Sequence, residues 1–203
     1  MVAVIDYDAG NIKSVEKAMM ALGEDVVVTR EKEEILSADH VILPGVGAFG
    51  DAMEKLHSYH LVEVIRDVAS RGTPFLGICL GLQLLFESSE ESAGVEGLGI
   101  LSGEIVKLPE DQGLKIPHIG WNSLRYPNIG RLFAGIPEES YVYFVHSYYL
   151  KAAESQIVTA TTEYAASIHA SVEKGNVFAC QFHPEKSSDV GMRILKNFLN
   201  VSG

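Results

Sequence analysis

The chain has 203 residues, of which 47% are hydrophobic and 21% are charged, and its formal net charge is -11. This length and balance predict one globular domain, residues 1–203, with a substantial core. An acidic chain without a run of lysine or arginine is poorly suited to nucleic acid or to an anionic membrane surface, so we expect neither as a partner.

The cysteine count and the start of the chain indicate a compartment. Two cysteines, Cys79 and Cys180, are too few for a disulfide framework and favour a reducing environment. Residues 2–5 form a predicted strand with no basic segment before it, and no apolar stretch approaches the roughly 20 residues of a membrane span. We therefore expect a cytoplasmic protein.

The first half of the sequence alternates between strand and helix patterns. Gly23 stands where glycine commonly ends a helix, after a helical pattern from about Asn11 to Leu22. Wholly apolar strands that alternate with helices predict a mostly parallel sheet covered on both faces. The predicted strands are 2–6, 26–29, 41–43 and 75–78, an acidic connector follows the second, and the later helices are 49–56 and 61–70.

The second half changes to closely spaced strands, which predict antiparallel additions to the parallel sheet. A last helix begins at Ser187 or Ser188, either of which is a good N-cap, and runs to about Leu199. The predicted fold class is therefore α/β, with a mostly parallel central sheet flanked by helices and antiparallel strands in the second half. Those strands are 103–108, 121–126, 141–150, 157–164, 167–173 and 177–182.

Residues 77–81, Gly-Ile-Cys-Leu-Gly, join a predicted strand to a helical pattern. This order is typical of a nucleophile elbow, with Cys79 as the nucleophile. Glycine stands two residues either side because the turn is too tight for side chains there. The helix dipole at such a turn favours thiolate over thiol. A buried core cysteine fits the same pattern, so the elbow alone does not decide.

A second pattern provides a base. The predicted strand 177–182 leads to His183, and Glu185 stands two residues later, so a period of two places both side chains on one side. Glu185 can then orient the imidazole, and Pro184 suits a strand end. Carboxyl ends of neighbouring parallel strands converge on one crevice. Together the two patterns predict a Cys79–His183–Glu185 triad rather than a surface His–Glu pair.

Other candidate ligands and nucleophiles are weaker. His57 and His60 are three residues apart on a predicted helix, a spacing that can bind metal, but no further ligands accompany them. We expect a solvated face there, with no metal and no cofactor. Cys180 is expected to be a small core hydrophobe.

These residues resemble a known family. The segment 77–83 with His183-Pro-Glu185 is similar to the signature of the triad, or class I, glutamine amidotransferases, which have a flavodoxin-like fold. One branch, the glutaminase subunits of imidazole glycerol phosphate synthase, is resembled over essentially the whole chain. Pro-His-Ile-Gly-Trp-Asn separates this branch from its relatives. The segments that carry the likeness are 44–47, 117–122, 143–148 and 181–187.

The resemblance implies a reaction. L-glutamine would be hydrolysed through a γ-glutamyl thioester on Cys79, and ammonia would pass to a (β/α)₈-barrel cyclase subunit that makes imidazole glycerol phosphate and AICAR in histidine biosynthesis. The oxyanion needs two donors. We expect one from the Leu80 N–H and one from Val46 and Gly47 in the turn after strand 41–43. In the family this turn switches between inactive and active orientations.

The resemblance also implies binding residues. Asp8-Ala9 departs from the usual glycine-rich pattern ahead of the first helix, which leaves the contacts of that loop open. An aromatic residue with polar neighbours suits a polar-rimmed protein contact. Glutamine binding is implied for Gly45, Gly47, Gln83, His146, Ser147 and Tyr148. Contact with the cyclase is implied for Asn11, Pro117, His118, Trp121, Asn122 and Lys186.

Two alternatives remain open. The chain could be the glutaminase of another synthase, in the anthranilate, GMP or pyridoxal phosphate pathway, against which segment 117–122 argues. It could instead be a catalytically idle regulatory relative, against which the intact Cys79, His183 and Glu185 argue.

Overall fold

The computed structural model describes residues 1–110 and 113–203. Their strands, in chain order, are β1 (Val2–Ile5), β2 (Val26–Thr29), β3 (His40–Leu43), β4 (Phe75–Ile78), β5 (Ser88–Ser89), β6 (Gly103–Lys107), β7 (His118–Ser123), β8 (Tyr141–His146), β9 (Tyr148–Ala152), β10 (Val158–Tyr164), β11 (Ala166–Lys174) and β12 (Val177–Cys180). Their helices are α1 (Ile12–Ala21), α2 (Lys32–Ser37), α3 (Phe49–Ser58), α4 (Leu61–Ser70), α5 (Leu80–Leu84) and α6 (Ser188–Leu199), and short 3₁₀ helices cover Arg131–Phe133, Ser155–Ile157 and Pro184–Lys186.

A seven-stranded sheet forms the centre of the molecule, in the order β10-β11-β12-β4-β3-β1-β2. Its members β1, β2, β3, β4 and β12 pair in parallel, whereas β10 and β11 join antiparallel at one edge. Smaller sheets have the orders β5-β6-β9 and β7-β8. The predicted α/β class, with antiparallel strands added in the second half, is confirmed. The order β2-β1-β3-β4 is that of a doubly wound fold, which binds ligands at the carboxyl ends of its strands.

Helices cover both faces of the central sheet. On β1, Ala3 and Ile5 pack into the core shared with α2, α3 and α4, while Val2 and Val4 pack into the core shared with α1 and α6. This alternation explains why the whole strand is apolar: each of its faces is buried. Among the described residues, no helix combines the length and apolar character that crossing a membrane requires.

The structure differs most from the predicted elements at three places. The acidic connector contains α2, whose single buried residue, Ile35, is too weak a signal against its charged neighbours. The predicted strand 141–150 divides at Ser147 into β8 and β9, which join different sheets. The strand predicted at 121–126 lies three residues earlier, at His118–Ser123. The last two differences matter, because both segments border the candidate site.

Candidate active site

Cys79 stands at a strained turn between β4 and α5. Its backbone has φ 55° and ψ −108°, a positive φ that a residue with a side chain rarely adopts. A Cβ on Gly77 would lie 2.7 Å from the Gly81 carbonyl oxygen, and a Cβ on Gly81 would collide with the Leu43 carbonyl oxygen. The two glycines are therefore required by close backbone approach, and the elbow predicted around Cys79 is present.

His183 and Glu185 form a buried pair beside the sheet edge. His183 lies three residues beyond β12, and its Nδ1 is 2.7 Å from Glu185 Oε1, with both side chains fully buried. The predicted reason for their contact is wrong, because β12 ends at Cys180 and the period-two rule does not extend to these residues. Instead, Pro184 starts a 3₁₀ helix that turns Glu185 back toward the imidazole.

The electrostatics of this pair favour a charged imidazole. Burial by itself lowers the pKa of His183, but the neighbouring Cys79 and Glu185 outweigh this effect and raise the pKa to about 9. The ring is thus an imidazolium at neutral pH. Its Nε2 has no hydrogen-bond partner among the described residues, which leaves that nitrogen for the Cys79 thiol. A cysteine beside an imidazolium is the arrangement that favours a nucleophilic thiolate.

Two further side chains hold the pair in place. The Asn11 Nδ2 donates to Glu185 Oε1 at 2.5 Å and lies 3.4 Å from His183 Nδ1. The Ser187 Oγ donates to the His183 carbonyl at 2.6 Å and accepts from the Tyr143 N–H at 3.0 Å. Ser187 therefore precedes α6, as predicted, but its hydroxyl makes no cap to that helix. Sequence reasoning placed Asn11 only at a subunit boundary and did not foresee its contact with Glu185.

The loop before Asn11 is fixed by charged contacts. Asp8 has φ 60°, a conformation that aspartate tolerates better than most residues. Its carboxylate accepts hydrogen bonds from Arg30 Nη2 at 2.8 Å and from the Tyr59 hydroxyl, and its carbonyl accepts one from Lys55 Nζ at 2.9 Å. These are the contacts of the loop that the departure of Asp8-Ala9 from the family's glycine-rich pattern had left open.

The two candidate oxyanion donors are not aimed at one point. The Leu80 N–H donates to the Gly45 carbonyl at 3.3 Å. Because the peptide is planar and trans, the Val46 N–H points opposite to that carbonyl, away from Leu80. Gly47, with φ 109°, provides the flexibility that a change of this turn requires. In this orientation of the Gly45–Val46 peptide, the Leu80 and Val46 N–H groups do not form the predicted oxyanion site.

A cavity of about 300 Å³ opens beside Cys79. It brings together most of the predicted glutamine-binding and oxyanion residues, whereas Gly45 is not among the residues that line it. Glu91 was missed by the sequence analysis, since it belongs to an acidic run that reads as a solvated surface. Its carboxylate accepts the Phe49 N–H at 2.9 Å at the start of α3. The cavity is lined by Val46, Gly47, Cys79, Leu80, Gln83, Glu91, Pro117, Val145, His146, Ser147 and Tyr148.

Two buried glutamines connect the cavity wall to the thiol. The Gln83 Nε2 donates to the Tyr148 carbonyl at 3.2 Å and to Gln181 Oε1 at 3.0 Å. The Gln181 Nε2 in turn donates to Cys79 Sγ at 3.7 Å. Gln181 is fully buried, and its contact with the nucleophile was not predicted. By contrast, Cys180 is fully buried in the core, as expected, and burial raises the pKa of its thiol.

The predicted partner segment is an exposed edge strand. On β7, Ile119 and Trp121 are 59% and 50% exposed on one face, while His118 is buried on the other. The paired strand β8 adds Tyr141, which is 58% exposed, on the same face as Trp121. We call Ile119, Trp121 and Tyr141 the outer apolar face. Lys186, also predicted at the partner contact, is exposed nearby on the 3₁₀ helix that carries Glu185.

The structure also locates His57 and His60, the weak candidate for a metal site. His57 lies in α3, but His60 falls between α3 and α4, so the two do not share a helix as predicted. In the described ranges, no group of three or more His, Cys, Asp or Glu side chains is arranged to hold a metal ion.

Known proteins resemble this chain in sequence and in fold. Residues 3–201 match the family model described as glutamine amidotransferase class-I. The imidazole glycerol phosphate synthase subunit HisH of Moorella thermoacetica is 55% identical over 197 residues, which cover 97% of this chain and 93% of the relative. The subunit of the same name from Bacillus cereus strain G9842 is 53% identical, covering 99% of this chain and 95% of the relative. A solved glutamine amidotransferase superposes with a TM-score of 0.77 at 19% identity, over 98% of this chain and 97% of its own.

Proposed function

The chain belongs to the class-I glutamine amidotransferase family, and we propose that it is the glutaminase subunit of an imidazole glycerol phosphate synthase, an enzyme of histidine biosynthesis. The observation that carries this proposal is the triad: Cys79 at a strained elbow, with the fully buried His183–Glu185 pair next to it. The relatives named HisH, which match this chain over nearly their whole length, support the choice of synthase.

The geometry supports hydrolysis in two stages. The Cys79 thiolate attacks the side-chain amide carbon of glutamine, and the carbonyl electrons move to the oxygen. As the tetrahedral species collapses, the proton on His183 Nε2 passes to the departing nitrogen, which leaves as ammonia. His183 then takes a proton from water, whose oxygen attacks the γ-glutamyl thioester and releases glutamate. Glu185 holds the imidazole by its other nitrogen throughout.

The oxyanion site requires a local rearrangement. Rotation of the Gly45–Val46 peptide would release the Leu80 N–H from the Gly45 carbonyl and turn the Val46 N–H toward the same point. Two preorganised donors would then stabilise the oxyanion. Until that rotation occurs, we expect the chain to hydrolyse glutamine slowly despite its complete triad.

The cavity wall suits a free amino acid. Glu91 brings a carboxylate that can pair with the ammonium group of glutamine. Gln83, Ser147 and Tyr148 line the same wall and can hold the rest of the substrate, with Gly47 allowing close backbone approach. This assignment adds Glu91 to the residues that the family resemblance implied.

The outer apolar face is the proposed contact with a (β/α)₈-barrel cyclase, in a heterodimer. A patch of exposed aromatic and aliphatic side chains with polar neighbours is typical of protein interfaces. His118 and Asn122, which the resemblance also implied, lie on the opposite side of β7 and would act from behind the contact. The same proposal places the protein in the cytoplasm, where the two free cysteines stay reduced.

Glutamate release by the purified chain tests this function. We expect slow release from the chain alone and strong stimulation when the cyclase and its nucleotide ligand are added. Cys79→Ser serves as the control and is expected to abolish release in both cases. Release that is already rapid and does not respond to the cyclase, or stimulation by the synthase of a different pathway instead, would contradict the proposal.

A further inference from the structure

We propose that His118 is a positioning residue that couples the outer apolar face to the glutamine cavity, through a buried chain of hydrogen bonds that ends at Cys79. The proposal rests on the proposed function and adds a route by which partner contact reaches the site. Four side chains that form these hydrogen bonds are buried: Gln83, His118, His146 and Gln181.

The chain is continuous from β7 to the nucleophile. It begins at the edge strand, crosses to β8, passes the carbonyl at the start of β9 and ends at the elbow. In its first half, Asn122 Nδ2 is 3.4 Å from His118 Nε2, and His118 Nδ1 is 3.0 Å from His146 Nε2. The Tyr148 carbonyl joins the two halves, since it is 2.8 Å from His146 Nδ1 and 3.2 Å from Gln83 Nε2. In the second half, Gln83 Nε2 is 3.0 Å from Gln181 Oε1, and Gln181 Nε2 is 3.7 Å from Cys79 Sγ.

The partners assign one tautomer to each histidine. The Tyr148 carbonyl can only accept, so His146 carries a proton on Nδ1. Its neutral Nε2 then accepts from His118 Nδ1, which leaves His118 Nε2 to accept from the Asn122 amide. The amide is oriented by the Ser123 N–H, which donates to Asn122 Oδ1 at 2.8 Å. Every donor in this part of the chain therefore meets an acceptor.

Both histidines have the charge state that this arrangement needs. Burial lowers the pKa of His118 to about 4 and that of His146 to about 3. Both rings are neutral at physiological pH, so each keeps one donor nitrogen and one acceptor nitrogen. A charged ring would place two donors opposite each other along the chain.

The strand period connects this chain to the partner contact. Along β7, Ile119 and Trp121 point outward, and the alternating residues His118 and Asn122 point inward. A protein that packs on the outer apolar face therefore contacts the strand that carries Asn122 and His118, the first two side chains of the hydrogen-bond chain.

The His118 ring is held tightly enough to transmit such a displacement. It stacks between Phe144, with a centroid distance of 4.8 Å, and Tyr164, at 4.0 Å. A shift of β7 is thus passed to His146 and to the carbonyl that holds Gln83, rather than absorbed by a loose ring.

Two variants of His118 separate the hydrogen bond from the packing. His118→Phe keeps a ring between Phe144 and Tyr164 but removes the donor to His146. His118→Asn keeps a donor at the position of Nδ1 and removes the ring. The readout is stimulation, the ratio of kcat/KM for glutamine with saturating cyclase to that without it. A smaller fraction of folded protein lowers both values equally and leaves this ratio unchanged.

We expect His118→Phe to lower the stimulation ratio by roughly fivefold to tenfold, as befits the loss of one buried hydrogen bond. His118→Asn keeps the donor but loses the ring stack, so its ratio should lie between those of the wild type and of His118→Phe. A wild-type ratio in His118→Phe, or an equal loss in His118→Asn, would overturn the proposal. If the wild-type complex itself does not hydrolyse glutamine, the proposed function fails first, and the two failures are distinguishable.

The tautomers provide a test that needs no variant to fold. Long-range proton–nitrogen spectra of the wild-type chain, labelled with ¹⁵N-histidine, report the protonated nitrogen of each ring. At pH 7 we expect neutral His118 and His146, each protonated on Nδ1. A proton on Nε2 of His118, or a charged ring at either position, would contradict the proposed hydrogen-bond chain.

Discussion

Replacing Asn11 should impair the triad without any involvement of a partner subunit. The Asn11 amide donates to Glu185 Oε1 at 2.5 Å, and the other carboxylate oxygen is buried with no hydrogen-bond partner among the described residues. Asn11 and His183 are therefore the contacts that hold this carboxylate. If the amide is lost, Glu185 is less well fixed, and so is the imidazole that it orients.

The size of the effect follows from the type of bond. A hydrogen bond to a charged acceptor contributes about 1.5–3 kcal/mol, which corresponds to a rate loss of roughly 10- to 150-fold. Asn11 has φ 72° and ψ 4°, so alanine would add backbone strain of its own. Asn11→Gly keeps the conformation and removes the donor. Asn11→Asp keeps the conformation and size but places a second carboxylate against Glu185, so its loss should be at least as large.

The assay is the rate at which an electrophilic glutamine analogue labels the isolated chain, followed by mass spectrometry. We expect the adduct on Cys79, with His183→Gln as the positive control for loss of the triad. Labelling in both Asn11 variants at the wild-type rate, while His183→Gln is slow, would refute the role of Asn11. An adduct on the buried Cys180 would refute the assignment of the nucleophile itself.

Two further predictions concern stability, and both are measured as the free energy of unfolding in urea. Burial holds the pKa of His118 near 4 and that of His146 near 3, below the unfolded value of about 6.5. The unfolded chain therefore binds more protons in acid, and the free energy of unfolding should fall by about 3 kcal/mol as the pH is lowered from 6.5 to 5. An unchanged free energy would contradict the burial of these two rings in the neutral form. Gly81→Ala would push a Cβ into the Leu43 carbonyl and should cost roughly 4 kcal/mol or more, whereas Gly23→Ala, with open space at φ 88°, should cost about 1 kcal/mol; equal costs would show that the elbow is not tightly packed.

Much of the fold could be predicted because its signals are local. The strands β1 and β4 are short apolar runs, and the turn at Cys79 requires its glycines for reasons that lie within five residues. α2 was missed because a six-residue helix with one buried side chain has almost no periodic signal. The division of the predicted strand at Ser147 could not be foreseen either, since it depends on which distant strands β8 and β9 pair with.

The candidate site shows the same limit. Cys79, His183 and Glu185 stand in patterns that a sequence displays, although the geometry that joins the last two is a 3₁₀ helix rather than a strand. Asn11 contacts Glu185 across 174 positions of the sequence, and nothing near Asn11 indicates that contact. Gln181 was missed for the same reason, because nothing in the sequence around a glutamine indicates which distant side chains it will contact.

The transfer of labelled nitrogen shows whether ammonia released at Cys79 passes to the cyclase without mixing with the solvent pool. The chain, its cyclase partner and the cyclase's substrate would be supplied with glutamine carrying ¹⁵N in the side-chain amide, in an excess of unlabelled ammonium. We expect the imidazole product to carry ¹⁵N well above the fraction in the mixed ammonia pool, and we expect Cys79→Ala to abolish this enrichment. Product whose ¹⁵N content equals that of the pool, or enrichment that survives in Cys79→Ala, would contradict this expectation.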